Sequence, residues 1–229
     1  MNKIKEFVLD LFFPKKCLKC NRPDIYLCPA CFNKIEVKKE KTCFLCKKTN
    51  QENNICQKCK SKTKIDKVII ATQYKQVEDL IKKFKYQYIK ELYKPLALLI
   101  LKAIKQNKLQ IPKNTIIVPI PIHKRKLKQR GFNQSELMAK ELSKRINIPI
   151  KTNMLKRVKT SVPQAKTKTK KERERNIKNS FKAKNVKNKN IILVDDVITT
   201  GSTIIEATKK LKNEKANKII VLAIAQNSL

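Results

Sequence analysis

The chain carries two glycines and no tryptophan in 229 residues, a single histidine, and 18 acidic side chains against 55 basic ones. Each shortage excludes something. Neither a GxGxxG dinucleotide fingerprint nor a GxxxxGK[ST] loop occurs, so the two commonest glycine-built phosphate cradles are absent. No apolar run approaches the ~20 residues that a membrane-spanning helix requires. The first 14 residues lack the continuous apolar stretch and small-residue cleavage site of a secretory signal, and the expected address is the cytoplasm. The length is that of one to two domains, and a hydrophobic content of 41% suffices for a buried core.

The charge is +37, which invites a nucleic-acid or anionic-membrane reading. Its make-up tempers that inference. Lysines number 48 and arginines 7, with abundant Asn and Ile, the usage that A/T-rich coding produces. Drift on solvated faces and a selected polyanion surface both remain open, and the informative basic residues are the few arginines.

Residues 1–16 read as an amphipathic helix. Ile4, Phe7, Val8, Leu11 and Phe12 form one stripe, and Pro14 stops it. Packing of that stripe on the rest of the protein is the preferred reading. With Lys3, Lys5, Lys15 and Lys16 alongside, peripheral contact with the inner face of an anionic membrane is the alternative.

All eight cysteines fall within residues 17–62, as four CxxC pairs: Cys17/Cys20, Cys28/Cys31, Cys43/Cys46 and Cys56/Cys59. A CxxC knuckle presents two thiolates on one side of a tight turn, and two knuckles complete the tetrahedral sulfur shell of Zn²⁺. Two structural zinc ions are expected. Four pairs in series do not fit a thioredoxin-like motif, and a cytoplasmic setting disfavours disulfides. Sequential pairing makes a double zinc ribbon and interleaved pairing a cross-brace; spacing leaves both possible.

From residue 65 to 229 the pattern becomes α/β. Strands are predicted at Asp66–Tyr74, Asn114–Ile120, Asn190–Val194 and Lys218–Ala225. Helices are predicted near Val77–Phe84, Ile89–Gln106, Gln134–Arg145 and Ser202–Lys212. Continuous apolar strands alternating with helices imply a parallel sheet covered on both faces. The Lys-, Arg- and Thr-rich stretch from Lys156 to Lys189 reads as a long loop, either solvated or a lid.

The segment Ile191–Thr203, IILVDDVITTGST, carries the chemistry. A buried strand delivers two adjacent carboxylates, Asp195 and Asp196, and a hydroxyl-rich turn then opens a helix. Backbone N–H groups at that helix start, with the hydroxyls of Thr199, Thr200, Ser202 and Thr203, make an anion cradle that Gly201 lets a ligand approach closely. Carboxylates beside a phosphate cradle make sense for a ligand whose phosphate has hydroxyls next to it, as a ribose 5-phosphate does. The pattern resembles the phosphoribosyl-pyrophosphate (PRPP) motif of type I phosphoribosyltransferases.

Further segments sharpen the likeness. VPIPIHKRKLKQRGFNQSELMAK (Val118–Lys140), RVKTSVPQ (Arg157–Gln164), ERERNIKNSF (Glu172–Phe181) and the cysteine-rich start together resemble ComF-family proteins, which are linked to natural DNA uptake in bacteria. Ser161 and Val162 depart from the family pattern, where many relatives carry Thr and Pro. The resemblance implies a double zinc ribbon followed by a type I phosphoribosyltransferase-like domain. It also implies a 5-phosphate on Thr199–Thr203, ribose hydroxyls on Asp195 and Asp196, and a diphosphate, with Mg²⁺, near Arg125, Arg130 and His123. Gln164, Arg173, Arg175 and Asn176 become candidates on a hood-like loop.

Two functions follow as expectations. One is a phosphoribosyltransferase that releases pyrophosphate from PRPP to an unidentified acceptor. The other is a non-catalytic PRPP-binding competence factor whose zinc ribbons and basic surface engage single-stranded DNA or a partner such as a helicase. Aromatics amount to 6% of the chain, and Tyr74, Phe84, Tyr86, Tyr88 and Tyr93 form the one notable cluster. Core packing is preferred over base stacking for it.

Overall fold

The computed structural model describes residues 15–38, 42–49, 55–158 and 177–227. Its centre is a four-stranded parallel sheet formed by β1 (Lys67–Gln73), β2 (Thr115–Pro119), β5 (Asn190–Ile198) and β6 (Ile219–Gln226), in the spatial order β1, β6, β5, β2. These strands are β-branched runs buried on both faces, so alternate side chains feed two separate cores. Ile69, Ile117, Ile192 and Leu222 face one core. Val68, Val118, Leu193 and Val221 face the other.

The first core is roofed by α3 (Tyr74–Tyr86), α4 (Tyr93–Gln106) and α6 (Gln134–Ile146), which bury Leu80, Phe84, Leu96, Ile100, Met138 and Leu142. The second is closed by α7 (Ser202–Asn213), through Ile204, Ala207 and Leu211, and by the short antiparallel pair β3 (Leu155–Arg157) and β4 (Phe181–Ala183). The cysteine-rich head straddles the sheet. Leu27 and Ile35 of its first half join the first core, and Phe44 and Ile55 of its second half join the other. Between the halves the chain crosses the open edge of β1, where Lys38 N–H donates to the Ala71 carbonyl at 3.0 Å and Thr72 Oγ1 donates to the Glu36 carbonyl at 2.6 Å. An edge strand that could pair with another chain is thereby covered.

Three features depart from the sequence reading. β5 does not stop at Val194 but runs to Ile198, because β6 stays in register with it as far as the pair Ile198 and Gln226. Both aspartates therefore lie in the strand itself. Lys124–Arg130 forms a further helix, α5, whose single apolar residue, Leu127, gives no periodicity to read. The stretch from Lys156 to Lys189 contributes β3 and β4 rather than loop alone; residues 159–176 lie outside the described residues.

Gly131 ends α5 in the left-handed region at φ 72°, with open space where a Cβ would point. Gly131→Ala therefore tests backbone strain alone. The expected cost is about 1–2 kcal/mol, read from a urea denaturation midpoint shifted at unchanged slope.

Candidate functional site

The eight cysteines resolve into two groups, Cys17, Cys20, Cys28 and Cys31, then Cys43, Cys46, Cys56 and Cys59, with all Sγ atoms of a group within 4.8 Å of one another. Pairing is sequential, first knuckle with second and third with fourth. Sγ atoms of Cys20 and Cys28, and of Cys46 and Cys56, stand 3.6 Å apart. Tetrahedral Zn–S bonds of ~2.3 Å put sulfurs ~3.8 Å apart, so both groups fit structural zinc. Cys28 and Cys56 stand at the N-cap positions of the short helices α1 (Pro29–Asn33) and α2 (Gln57–Thr63). The thiols of one group differ among themselves. Burial opposes ionisation of Cys17, but N–H groups of Cys28, Lys19 and Cys20 outweigh it and bring it to about 6. Hydrogen bonding with Cys20, followed by burial and the other thiolates, pushes Cys31 up to about 12. Four thiolates at this spacing call for a cation, and with four sulfurs per ion no open coordination position is left for chemistry.

The second site lies at the carboxyl ends of β2 and β5. Asp195 Oδ1 accepts from Ser135 Oγ at 3.2 Å and from the Asp196 N–H at 2.9 Å. Asp196 Oδ1 accepts from the Val197 N–H at 2.6 Å, and its Oδ2 pairs with Lys85 Nζ at 3.0 Å. Burial, and then the neighbouring Asp196 charge, raise Asp195 to about 7 against the opposing pull of Lys85. Burial works against the Lys85 charge, yet Asp196 and Asp195 together raise its pKa. After β5 the chain turns through Thr199–Gly201 into α7, with Gly201 at φ 81° as N-cap and the Thr200 and Ser202 hydroxyls 2.7 Å apart. The cradle expected at Thr199–Thr203 therefore opens a helix immediately beyond the carboxylates.

The RGFNQS segment explains itself residue by residue. Arg130 Nη1 donates to Gln134 Oε1 at 3.1 Å. Gly131 supplies the left-handed turn, and Phe132 stacks on Phe84 with centroids 5.5 Å apart. Asn133 caps α6 through Ser135 N–H at 3.1 Å and ties that cap to β2 by donating from Nδ2 to the Ile120 carbonyl at 3.0 Å. Ser135 then reaches Asp195. One short motif thus fixes the basic helix α5 against the acidic strand end.

His123 caps α5, its Nδ1 accepting from the Arg125 N–H at 3.1 Å, and desolvation with the charges of Arg157, Lys126 and Arg125 lowers its pKa. His123 is therefore a partly exposed helix cap, and the surrounding cations favour its neutral form. Arg125 is exposed on α5, whereas Arg130 is half-buried with its guanidinium 5.6 Å from the Tyr86 ring centroid. Gln164, Arg173, Arg175 and Asn176 lie outside the described residues. Of the aromatic cluster, Phe84 is buried and Tyr74 and Tyr93 pack against the core, but Tyr86 is 65% exposed, so core packing holds for part of the group only.

Lys85, Lys126, Ser135 and Arg157 were not anticipated. Arg157 sits over the Phe181 ring at 5.5 Å, feels the Asp195 charge, and keeps a buried Nε that has no partner. Lys126 has its pKa lowered by desolvation and by Arg130, Arg157 and Lys85. Arg157 is one of seven arginines and was legible as such, and Ser135 stands in a motif already singled out. Lys85 is one of 48 lysines, and nothing in sequence marks it. Chemically, two adjacent carboxylates precede a hydroxyl-bearing helix start, and Lys85, Lys126 and Arg157 bring positive charge to them.

Two family models match the chain: a double zinc ribbon domain over residues 8–60 and a phosphoribosyl transferase domain over residues 132–228. Competence protein F of Haemophilus influenzae is 30% identical over 225 residues, which covers 88% of this chain and 97% of that protein. Competence protein ComFC of Bacillus subtilis is 28% identical over 200 residues, 80% of this chain and 76% of its own length. DNA utilization protein YhgH of Escherichia coli K12 is 29% identical over 164 residues, 69% of this chain and 71% of that one.

Proposed function

The chain belongs to the competence protein F family, and from that premise we propose that it binds PRPP and serves, as a phosphoribosyltransferase-type protein, in the handling of DNA taken up during natural transformation. The observation that carries the reading is the abutment of Asp195 and Asp196 on a helix-opening turn with paired hydroxyls. In this reading Thr199–Thr203 holds the 5-phosphate and the two carboxylates accept the ribose hydroxyls. Arg130, Arg157 and Lys126 take the diphosphate, with His123 and Arg125 at the rim. Bound Mg²⁺ would neutralise diphosphate charge. In a transfer step the acceptor's nucleophile bonds to C1 while the C1–O bond to diphosphate breaks, its electron pair leaving with the diphosphate. The adjacent carboxylates stabilise the positive charge that develops on the ribose. The division into a zinc-bound head at 17–62 and a PRPP-binding body at 65–229 belongs to the same proposal. Thiols arranged for metal suit a reducing compartment, so we place the chain in the cytoplasm. No helix of the described residues is long and apolar enough to cross a membrane, and residues 1–14 of the amphipathic segment 1–16, for which membrane contact is the alternative to packing, lie outside them.

Calorimetric titration tests the assignment. PRPP with Mg²⁺ is expected to bind the purified chain, and Arg130→Ala to weaken PRPP about tenfold to a hundredfold while sparing ribose 5-phosphate, since one charged hydrogen bond contributes about 1.5–3 kcal/mol. A flat PRPP titration of the wild-type chain would remove the reading. Release of pyrophosphate with any acceptor separates an enzyme from a binding protein.

The exposure of Tyr86 (65%), whose ring lies against Arg130, and of Tyr88 (39%) favours a second role, in which bases of single-stranded DNA stack at this rim. Affinity for an oligonucleotide should then fall steeply with salt and drop in Tyr86→Ala. Indifference to both counts against it.

A further inference from the structure

The third cysteine knuckle, which opens the second zinc site, is not remote from the anion cradle. Between Cys43 and Cys46 stand Phe44 and Leu45, and Phe44 is 2% exposed. A Cβ added at Gly201 would meet Leu45 Cδ2 at 3.0 Å and Phe44 Cε2 at 3.1 Å, so the glycine face of the cradle rests directly on the knuckle's tip. The knuckle is also pinned from behind. Gln226 Nε2 donates to the Phe44 carbonyl at 2.8 Å, Gln226 pairs in register with Ile198, and Asn227 N–H donates to the Ile198 carbonyl at 2.9 Å. Ile198 is the residue before the cradle begins. Ile198 and Ile204, which bracket the turn, share one buried cluster with Cys43, Phe44 and Ile55.

We propose that Phe44 and Leu45 are positioning residues for the cradle and that occupancy of the second zinc site sets its affinity for phosphate. The inference rests on the reading of Thr199–Thr203 as the 5-phosphate site and adds its regulation. The physical reason is the poverty of the turn itself. Thr199 is exposed, and Gly201 is buried but has no side chain of its own, so the turn takes its shape from what lies beneath it. A helix start binds an anion well only when its N–H groups are already aimed, because ordering them on binding costs affinity. Four sulfurs on one zinc hold the Cys43–Cys46 turn rigid, and that rigidity passes through two side chains to Gly201. The first zinc site packs on the opposite face of the sheet, with Leu27 and Ile35, and has no such contact with the cradle among the described residues. Zinc withdrawn from Cys43, Cys46, Cys56 and Cys59 would therefore loosen the phosphate site while leaving Asp195 and Asp196 in their strand.

The test uses Leu45→Ala, which removes the contact and keeps every sulfur, and Ile25→Ala on the first ribbon as control. Three quantities are measured on the full chain: zinc content, PRPP affinity by calorimetry, and amide hydrogen exchange over residues 199–205 without ligand. Leu45→Ala is expected to keep two zinc ions, to exchange at least tenfold faster over 199–205 and to bind PRPP at least tenfold more weakly. Ile25→Ala should match the wild type in all three. Cys46→Ser, with one zinc fewer, should reproduce the faster exchange. Wild-type exchange in Leu45→Ala overturns the coupling whether or not PRPP binds. Faster exchange in a chain whose wild type ignores PRPP keeps the coupling and overturns the ligand instead.

Discussion

Stripping zinc from the purified chain is expected to dismantle the head and, with it, the packing over both faces of the sheet. The described part of residues 15–64 contains two helices, of five and seven residues, and the core it shares with the sheet is built from a few side chains such as Leu27, Ile35, Phe44 and Ile55. Helices that short do not persist alone, and so small a module folds because metal binding supplies on the order of 10–16 kcal/mol per structural site. Without the ions, Cys31 and Cys59 keep their protons at neutral pH, the first pushed up to about 12 by hydrogen bonding with Cys20 and then burial, the second to about 12 by burial and then the neighbouring sulfurs, and the groups lose what holds them together. The covered edge of β1 then opens as well, because Glu36 and Lys38 bond to it from the segment between the two ribbons. Metal analysis should find two zinc ions per chain. Chelation should lower the melting temperature, increase dye binding to exposed apolar surface and promote association through the freed edge. A chain that holds no zinc when purified, or that melts identically after chelation, would refute the structural assignment.

How much of this was legible beforehand follows from how strongly each feature speaks locally. Eight cysteines in four identical spacings announce two metal sites, yet the choice between sequential and interleaved pairing depends on three-dimensional placement that spacing does not encode. The strands at the sheet centre are legible because burial on both faces leaves uninterrupted Val, Ile and Leu runs. The end of β5 is not, because Asp195 and Asp196 read as the end of an apolar run although pairing with β6 carries the strand four residues past Val194. Helix α5 is hidden by its composition, with lysine and arginine at all but two positions. The carboxylates and the cradle stand in one contiguous motif and could be read directly. Lys85 comes from a distant helix and meets Asp196 only through the fold. Arg157 stands in a legible segment, but its approach to Phe181 and Asp195 depends on the pairing of β3 with β4, which the sequence does not announce.

Asp195→Asn and Asp196→Asn, adjacent changes of the same kind, are expected to move stability in opposite directions while both impair binding of a ribose ligand. Burial, then the Asp196 charge, hold Asp195 up to about 7, against ~3.9 in an unfolded chain. Between those values the folded state keeps a proton that the unfolded state gives up. The resulting stabilisation is whole below about pH 4 and is lost as pH rises through about 7. Across roughly three pH units one such group changes stability by at most about 4 kcal/mol. Asparagine has no proton to lose, and its Oδ1 can still accept from Ser135 and from the Asp196 N–H. Asp195→Asn should therefore match the wild type at pH 4, exceed it in stability at pH 8, and no longer accept ribose hydroxyls as an anion. Asp196 is differently placed. Its Oδ2 pairs with Lys85 at 3.0 Å, and the two side chains are only 13% and 18% exposed. Asp196→Asn leaves a poorly hydrated ammonium without its counter-charge, at a cost on the order of 3 kcal/mol. Urea denaturation of the three proteins at pH 4 and pH 8, with ligand titrations at pH 8, reads out both effects. Parallel pH–stability curves for the wild type and Asp195→Asn would show that Asp195 carries no displaced proton. Opposite signs for the two variants would instead mark a strand end that gives up stability at neutral pH to keep an acceptor ready for a sugar.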